Sequence, residues 1–362
     1  MLVRSASALV ATCVLACTIA CGPGPSPGEG EGEGEGEGEG EEGEGEGEGE
    51  GEGEGEGEGE GEGEAGDVFV PAATVYGAAP FAVEQATLTK AQTSLPWELD
   101  LFVPKAPGAY AVALFVPGFG LAPDDATTLL SHVAGHGVVV VGVRLESGVC
   151  LALLGCTGAY PQQPRKATTS DEAALIPQVL AFVESGLDAR VTATVTGVTV
   201  DDAPPVIAAH SRGGKLTWRV LTASTTAARG LALIDPVDAP PPSNSGITDP
   251  NAVSGALAFV GPAVILGTGR GPTGGQACAP TGENHVRFAN ALTSAEHVED
   301  TAAGHNDLLD SPGFVCANGT APAAFRTTAA GLIVATVREA LGVDGAIAAA
   351  IAASPPAPLT AR

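Results

Sequence analysis

The chain has 362 residues, 44% of them hydrophobic, with seven cysteines and a formal net charge of −27. Nineteen of its 43 acidic residues are glutamates between Glu29 and Glu64; without them and Arg4 the remainder holds 24 acidic and 15 basic residues, a net charge near −9. That balance lacks the basic footprint of a nucleic-acid binder, and the roughly 295 residues from Asp67 onward suffice for one large domain with a well-buried core.

Residues 1–21 combine one early positive charge, Arg4, with an apolar run from Ala6 to Ala20 and small residues near its end. This reads as a secretory signal, too short and too weakly flanked for a membrane span. It ends in two lipobox-like sequences, V-L-A-Cys17 and T-I-A-Cys21, in which an apolar residue and small residues precede a cysteine. Cys21 is the preferred lipidation site, because the apolar run continues up to it and a Pro-Gly linker starts just after; Val14 keeps Cys17 a rival. Residues 22–66 cannot form a core: Glu-Gly repetition has nothing apolar to bury and much backbone entropy to lose. Like charges at every second position oppose collapse, so an extended stalk is expected. The expected location is the cell envelope or surface, held to a membrane by the lipid, at the outer membrane where there is one.

The folded domain is placed at 67–346, with an Ala/Pro-rich tail at 347–362 that frays. Val68–Tyr76 and Leu95–Val103 read as opening strands. Ala109–Val116 is a continuous apolar run of strand length, hence a buried central strand, and it enters Pro117-Gly118-Phe119-Gly120 directly. Pro123-Asp124-Asp125 starts a helix through Ala134, and Gly135-His136-Gly137 ends it before a strand at Val138–Val143. Strand, helix and strand in that order form a parallel crossover. Asp171–Ser185 is a second helix and Thr192–Asp202 an extra extended segment. Val206–Ala209 has the length of a short buried strand, followed by His210-Ser211-Arg212-Gly213-Gly214 and a helix from Lys215 to Ala228. Later strands are expected at Leu231–Ile234, Ala263–Gly267 and Glu296–Asp300. A Pro-rich loop spans Ala239–Pro250, and helices cover Thr281–Leu292 and Ala323–Leu341.

A serine on a sharp turn between a strand and a helix is the nucleophile elbow of α/β-hydrolases. The usual pattern is G-x-S-x-G; here Ala209 stands for the first glycine, which predicts a strained elbow. A serine hydroxyl needs a base to take its proton and an acid to orient that base. The order Ser, acid, His is present. Asp235 ends the strand after Ser211, and His305 follows the last strand in a small-residue loop. Asp238 is the reserve acid, whereas Asp307 and Asp310 follow the histidine and break the order. His132, His136, His285 and His297 read as structural, and His210 as packed under the elbow. Two backbone N–H groups must meet the oxyanion, from Arg212 after the nucleophile and from Phe119 in the loop after the third strand.

These residues together resemble the chlorophyllase family. H-S-R-G-G-K at 210–215, L-I-D-P-V-D at 233–238, C-A-P-T-G-E-N-H-V-R-F at 278–288 and G-H-N-D-L-L-D at 304–310 are similar to its motifs. S-H-V-A-G-H-G-V-V-V-V at 131–141 also matches. The resemblance implies an α/β-hydrolase fold with a mostly parallel central sheet flanked by helices. It further implies Ser211, Asp235 and His305 as triad, and action on a carboxylic ester without a cofactor; no metal site is expected either, because the spacings lack a clustered pair of His or Cys ligands. Pro117-Gly118-Phe119 departs from the family, and bacterial cutinase-like polyester hydrolases of the same superfamily often have P-G-F/Y there. The expected substrate is a bulky hydrophobic ester and the expected state a monomer. The competing readings are a cutinase-like or lipase-type esterase, a surface binding module without activity and an acyltransferase. Cys150, Cys156, Cys278 and Cys316 suggest two disulfides in an oxidising compartment, with three pairings open.

Overall fold

The computed structural model describes residues 74–145, 167–240, 247–273, 277–313 and 316–362. The leader with Cys17 and Cys21, the Glu-Gly stretch, Cys150 and Cys156 lie outside the described residues.

The chain opens with β1 (Val83–Leu88), the one-turn helix α1 (Lys90–Thr93), β2 (Leu99–Pro104) and β3 (Gly108–Val116). A 3₁₀ turn at Pro123–Ala126 leads into α2 (Thr127–Gly135) and β4 (Val138–Val143). Then come α3 (Thr169–Ala173), α4 (Ile176–Ser185), α5 (Leu187–Thr194), β5 (Val198–Val200), β6 (Val206–His210) and α6 (Arg212–Ala223). They are followed by β7 (Gly230–Ile234), β8 (Ala263–Thr268), α7 (His285–Ala291) and β9 (Glu296–Asp300). The last elements are α8 (Pro322–Ala340), α9 (Ala346–Ala352) and β10 (Thr360–Ala361).

The strands form one sheet in the order β1-β2-β4-β3-β6-β7-β8-β9-β10, with β5 beside the start of β3. From β4 to β9 all neighbours are parallel, and antiparallel pairs close both edges. The expected α/β fold, with a mostly parallel sheet flanked by helices, is therefore the observed one. All six residues of β4 are buried, as a parallel strand covered on both faces requires. Alternation still sorts them: Val139, Val141 and Val143 join the core that includes Ile176, Val179 and Leu216 of α4 and α6. Val138 and Val140 join the opposite core with Leu129 of α2 and Ile333 of α8.

Four expectations change. Of Val68–Tyr76 the described part, from Thr74, is loop and turn, and the first strand among the described residues is β1. Only Leu88 of β1 is buried, so it offers no apolar run to read. The single helix at Asp171–Ser185 is two, α3 and α4, because Pro177 lacks the N–H that would continue the first and is tolerated only in the opening turn of the second. The extended segment at Thr192–Asp202 shrinks to β5, since α5 runs through Thr194 with Leu187 and Val191 buried. The tail is ordered rather than frayed: α9 buries Ile347 and Ala350, and β10 pairs with β9. Among the described residues no helix is long and apolar enough to cross a membrane.

Candidate active site

β6, β7 and β9 bring the three sequence-predicted residues to the carboxyl end of the sheet. Ser211 sits between β6 and α6 at φ 55° and ψ −126°, conformational territory that a side chain rarely occupies. Gly213 and Gly214 make room for that turn. A Cβ on Gly213 would lie 2.2 Å from the Val116 carbonyl oxygen, and one on Gly214 would lie 2.4 Å from Cβ of Pro236. Ala209 carries none of the strain expected there: it has no positive φ, and its methyl is fully buried in the core containing Leu233.

Asp235 follows β7 directly, also at a positive φ of 39°, and His305 lies in the loop after β9. His305 Nδ1 is 2.6 Å from Asp235 Oδ2, and His305 Nε2 is 2.8 Å from Ser211 Oγ. Nδ1 therefore donates to the carboxylate, leaving Nε2 to accept the serine proton. Asp235 is fully buried, and Thr268 at the end of β8 donates to it twice, Oγ1 to Oδ2 at 2.7 Å and N–H to Oδ1 at 3.1 Å. Burial by itself would raise the Asp235 carboxyl. The hydrogen bond and charge of His305, with smaller help from His285 and Thr268, outweigh it and hold the group below the ordinary carboxylate value.

The three rival acids are occupied elsewhere. Asp238 accepts from the N–H groups of Ala252 and Val253 and pairs with Arg287 at 2.9 Å. Asp307 accepts from Gly304 and Gly319, closing the histidine loop, and Asp310 accepts from Thr128. His132 binds the Val75 carbonyl, His136 binds that of His132, and His285 and His297 bind each other at 2.8 Å. Among the described residues no group of three or more His, Cys, Asp or Glu side chains is placed to hold a metal ion.

Ser211 and His305 open into a cavity of about 240 Å³ with a largely apolar wall that includes Phe119, Leu121, Val237 and Pro240. Phe119, the expected second oxyanion donor, thus lines the same cavity as the serine. Arg212 is the first residue of α6, so its N–H has no acceptor within the helix. Gly118 presses this loop against the elbow, where a Cβ would come within 3.0 Å of Ser211 Cβ. Cys278 and Cys316 form a disulfide with Cα atoms 5.6 Å apart, and both line the cavity.

Sequence reasoning missed two features. Thr268 is one: a strand-end threonine gives no signal until the chain folds it onto Asp235. The other is a buried ionic cluster behind the elbow. Lys215 is fully buried and lies 2.9 Å from the Asp249 carbonyl oxygen and 3.5 Å from its carboxylate. Arg212 pairs with Glu172, while Thr169 of α3 donates to Asp249 at 2.8 Å. Arg212, Lys215 and Arg219 recur at helical spacing on α6, which is the signal that was present in the sequence.

The sequence profile of the chlorophyllase family matches residues 71–360. Chlorophyllase type 0 of Chenopodium album is 26% identical over 273 residues, 70% of this chain and 74% of the relative. Chlorophyllase-1 of Arabidopsis thaliana is 28% identical over 300 residues, 76% of this chain and 86% of the relative. The chloroplastic chlorophyllase-1 of Citrus sinensis is 30% identical over 222 residues, 59% of this chain and 60% of the relative.

Proposed function

The chain belongs to the chlorophyllase family of the α/β-hydrolase superfamily, whose members are carboxylic ester hydrolases, and from that premise we propose that it cleaves a hydrophobic ester through an acyl-enzyme on Ser211. The observation that carries the reading is the chain of hydrogen bonds from Ser211 Oγ through His305 to Asp235. His305 takes the hydroxyl proton as Oγ attacks the ester carbonyl carbon. The tetrahedral oxyanion is met by the N–H groups of Arg212 and Phe119. His305 then protonates the departing alkoxide, and the acyl group remains on Oγ. Water, deprotonated by the same imidazole, attacks the acyl carbon and releases the acid and the free serine. Asp235 stays ionised throughout and stabilises the imidazolium.

The apolar wall of the cavity favours an ester with little charge near the scissile bond. Chlorophyll, as in the relatives' names, is one substrate to test. A lipid or polyester is the second, favoured by Pro117-Gly118-Phe119. The same reading gives residues 1–21 the role of a lipoprotein leader, Cys21 that of the anchor and residues 22–66 that of a stalk holding residues 67–362 off a membrane. The leader's lipobox and the Glu-Gly composition support it.

The test is hydrolysis of p-nitrophenyl esters by the full chain and by Ser211→Ala. Loss of the triad serine is expected to lower kcat by at least about 10³-fold. Equal rates would overturn the serine mechanism. Chlorophyll, short-chain esters and polyester film then rank the substrates. Palmitate incorporation lost in Cys21→Ala and kept in Cys17→Ala is the expected outcome for the anchor.

A further inference from the structure

His210, immediately before the nucleophile, is fully buried and takes no part in the steps above. Its Nε2 lies 3.0 Å from the backbone carbonyl oxygen of His305. A carbonyl oxygen only accepts, so Nε2 carries the hydrogen and Nδ1 is left with a bare lone pair. That Nδ1 is buried and has no hydrogen-bond partner. The two imidazoles sit 4.8 Å apart, tilted by 37°. On the other side, a Cβ at Gly118 would come within 3.1 Å of Nδ1. One ring therefore touches the nucleophile turn, the oxyanion loop and the histidine loop.

Packing alone does not account for a histidine here. A phenylalanine would fill the same space without burying an unsatisfied nitrogen, which costs free energy. What only the imidazole supplies is a donor at the right reach for the His305 carbonyl. The N–H tethers the backbone of the very residue whose ring must meet Ser211 and Asp235 together.

We propose that His210 is a positioning residue: its Nε2–H holds the His305 backbone so that the His305 ring bridges Ser211 Oγ and the Asp235 carboxylate. This rests on the serine-hydrolase reading for its catalytic consequence, though the tether itself does not. The mechanism makes His305 an imidazolium, and a second charged ring beside it would oppose that step. Burial, followed by the neighbouring charge of His305, lowers His210 to about 3, so it stays neutral while His305 works. Displacement of a reacting group by about 1 Å can cost about 10²-fold in rate, so even a small drift of His305 is measurable.

The experiment compares His210→Gln, His210→Asn and His210→Phe in the full chain. A glutamine amide nitrogen reaches the place of Nε2 and keeps the donor. An asparagine amide reaches only the place of Nδ1, and phenylalanine keeps shape alone. The readouts are kcat and KM on a p-nitrophenyl ester, and the far-downfield proton resonance of His305 Nδ1–H against Asp235. The expected result is a fall in kcat of about 10- to 100-fold for Phe and Asn with KM within about twofold. Their downfield resonance is broadened or lost, and Gln restores both. Wild-type kcat and resonance in Phe and Asn, or equal damage in Gln and Asn, would overturn the proposal. Where Phe fails to fold, the Asn and Gln pair decides. If Ser211→Ala hydrolyses as fast as wild type, the serine reading fails; the resonance then decides alone, its loss in Asn but not in Gln supporting the tether and its survival in Asn overturning it.

Discussion

At Ala209, Ser211 and Gly213, three small residues have three different tolerances. Ser211 holds the positive φ, and Gly213 faces the Val116 carbonyl at a separation no Cβ accepts. Ala209 fills a core position in a strand. Ala209→Gly is therefore expected to keep activity and lose about 0.5–1 kcal/mol from added backbone freedom. Gly213→Ala should cost about 1–3 kcal/mol or more and disable ester hydrolysis. Urea melts of both variants check this, and equal costs would refute the distinction. Two histidines, one buried and one half-buried, set an acid limit as well. Burial first, then His305 in one case and His285 in the other, lowers His210 to about 3 and His297 to about 4. Groups depressed from about 6.5 stabilise the fold fully above that value and lose the contribution as pH falls toward the folded values. The melting temperature should decline between pH 6.5 and 4, and less steeply in a His210→Gln, His297→Gln double variant. Parallel curves would contradict the assignment.

The helix α6 is the element on which both the site and its support depend. One end places Ser211 and the N–H of Arg212, while its side carries the cations that meet Glu172 and Asp249. Burial lowers the Lys215 ammonium, and the charges of Asp249 and Asp238 oppose that shift. Lys215 and Asp249 are both fully buried, so removing the carboxylate leaves the ammonium without water and with only carbonyl oxygens as hydrogen-bond partners. Asp249→Ala is expected to cost about 3–5 kcal/mol. An Asp249→Leu, Lys215→Met pair should recover most of that, because two matched apolar residues leave no charge behind. Denaturant melts of the singles and the pair measure it, and additive losses would show that the two charges act separately.

Across the whole molecule, the ordered tail closes an edge. β10 pairs with β9 through Thr360–Glu299 and Ala361–Val298, and Arg362 lies 2.8 Å from Glu299. An uncovered β9 would present unpaired backbone groups to other chains. Deleting residues 353–362 should lower the melting temperature by several degrees, at about 2–4 °C per kcal/mol for a domain of this size. Concentration-dependent association seen by light scattering is expected with it. A deletion variant that melts like the full chain and stays dispersed would contradict this role. The disulfide Cys278–Cys316 spans 38 residues that include His305, tying the wall of the cavity to the loop that carries the base.

The sequence by itself determined the parallel strands, the order Ser211, Asp235, His305, the glycines of the elbow and the family. Each is written in short-range terms: a run of Val and Ile long enough for a covered strand, a strand end, a small residue where two backbones meet. The tertiary structure showed what occupies the reserve acid: Asp235 meets His305, while Asp238, three positions on, meets Arg287 and the N–H groups of Ala252 and Val253. It also decided the pairing of Cys278 with Cys316, the donation from Thr268, the clamp on Lys215 and the ordering of the Ala/Pro tail. Those contacts join residues 33 to 70 positions apart, or elements with little apolar signal of their own. Periodicity reports which face of an element is buried. It carries no information on what that face meets, and that is settled only when the sheet is assembled.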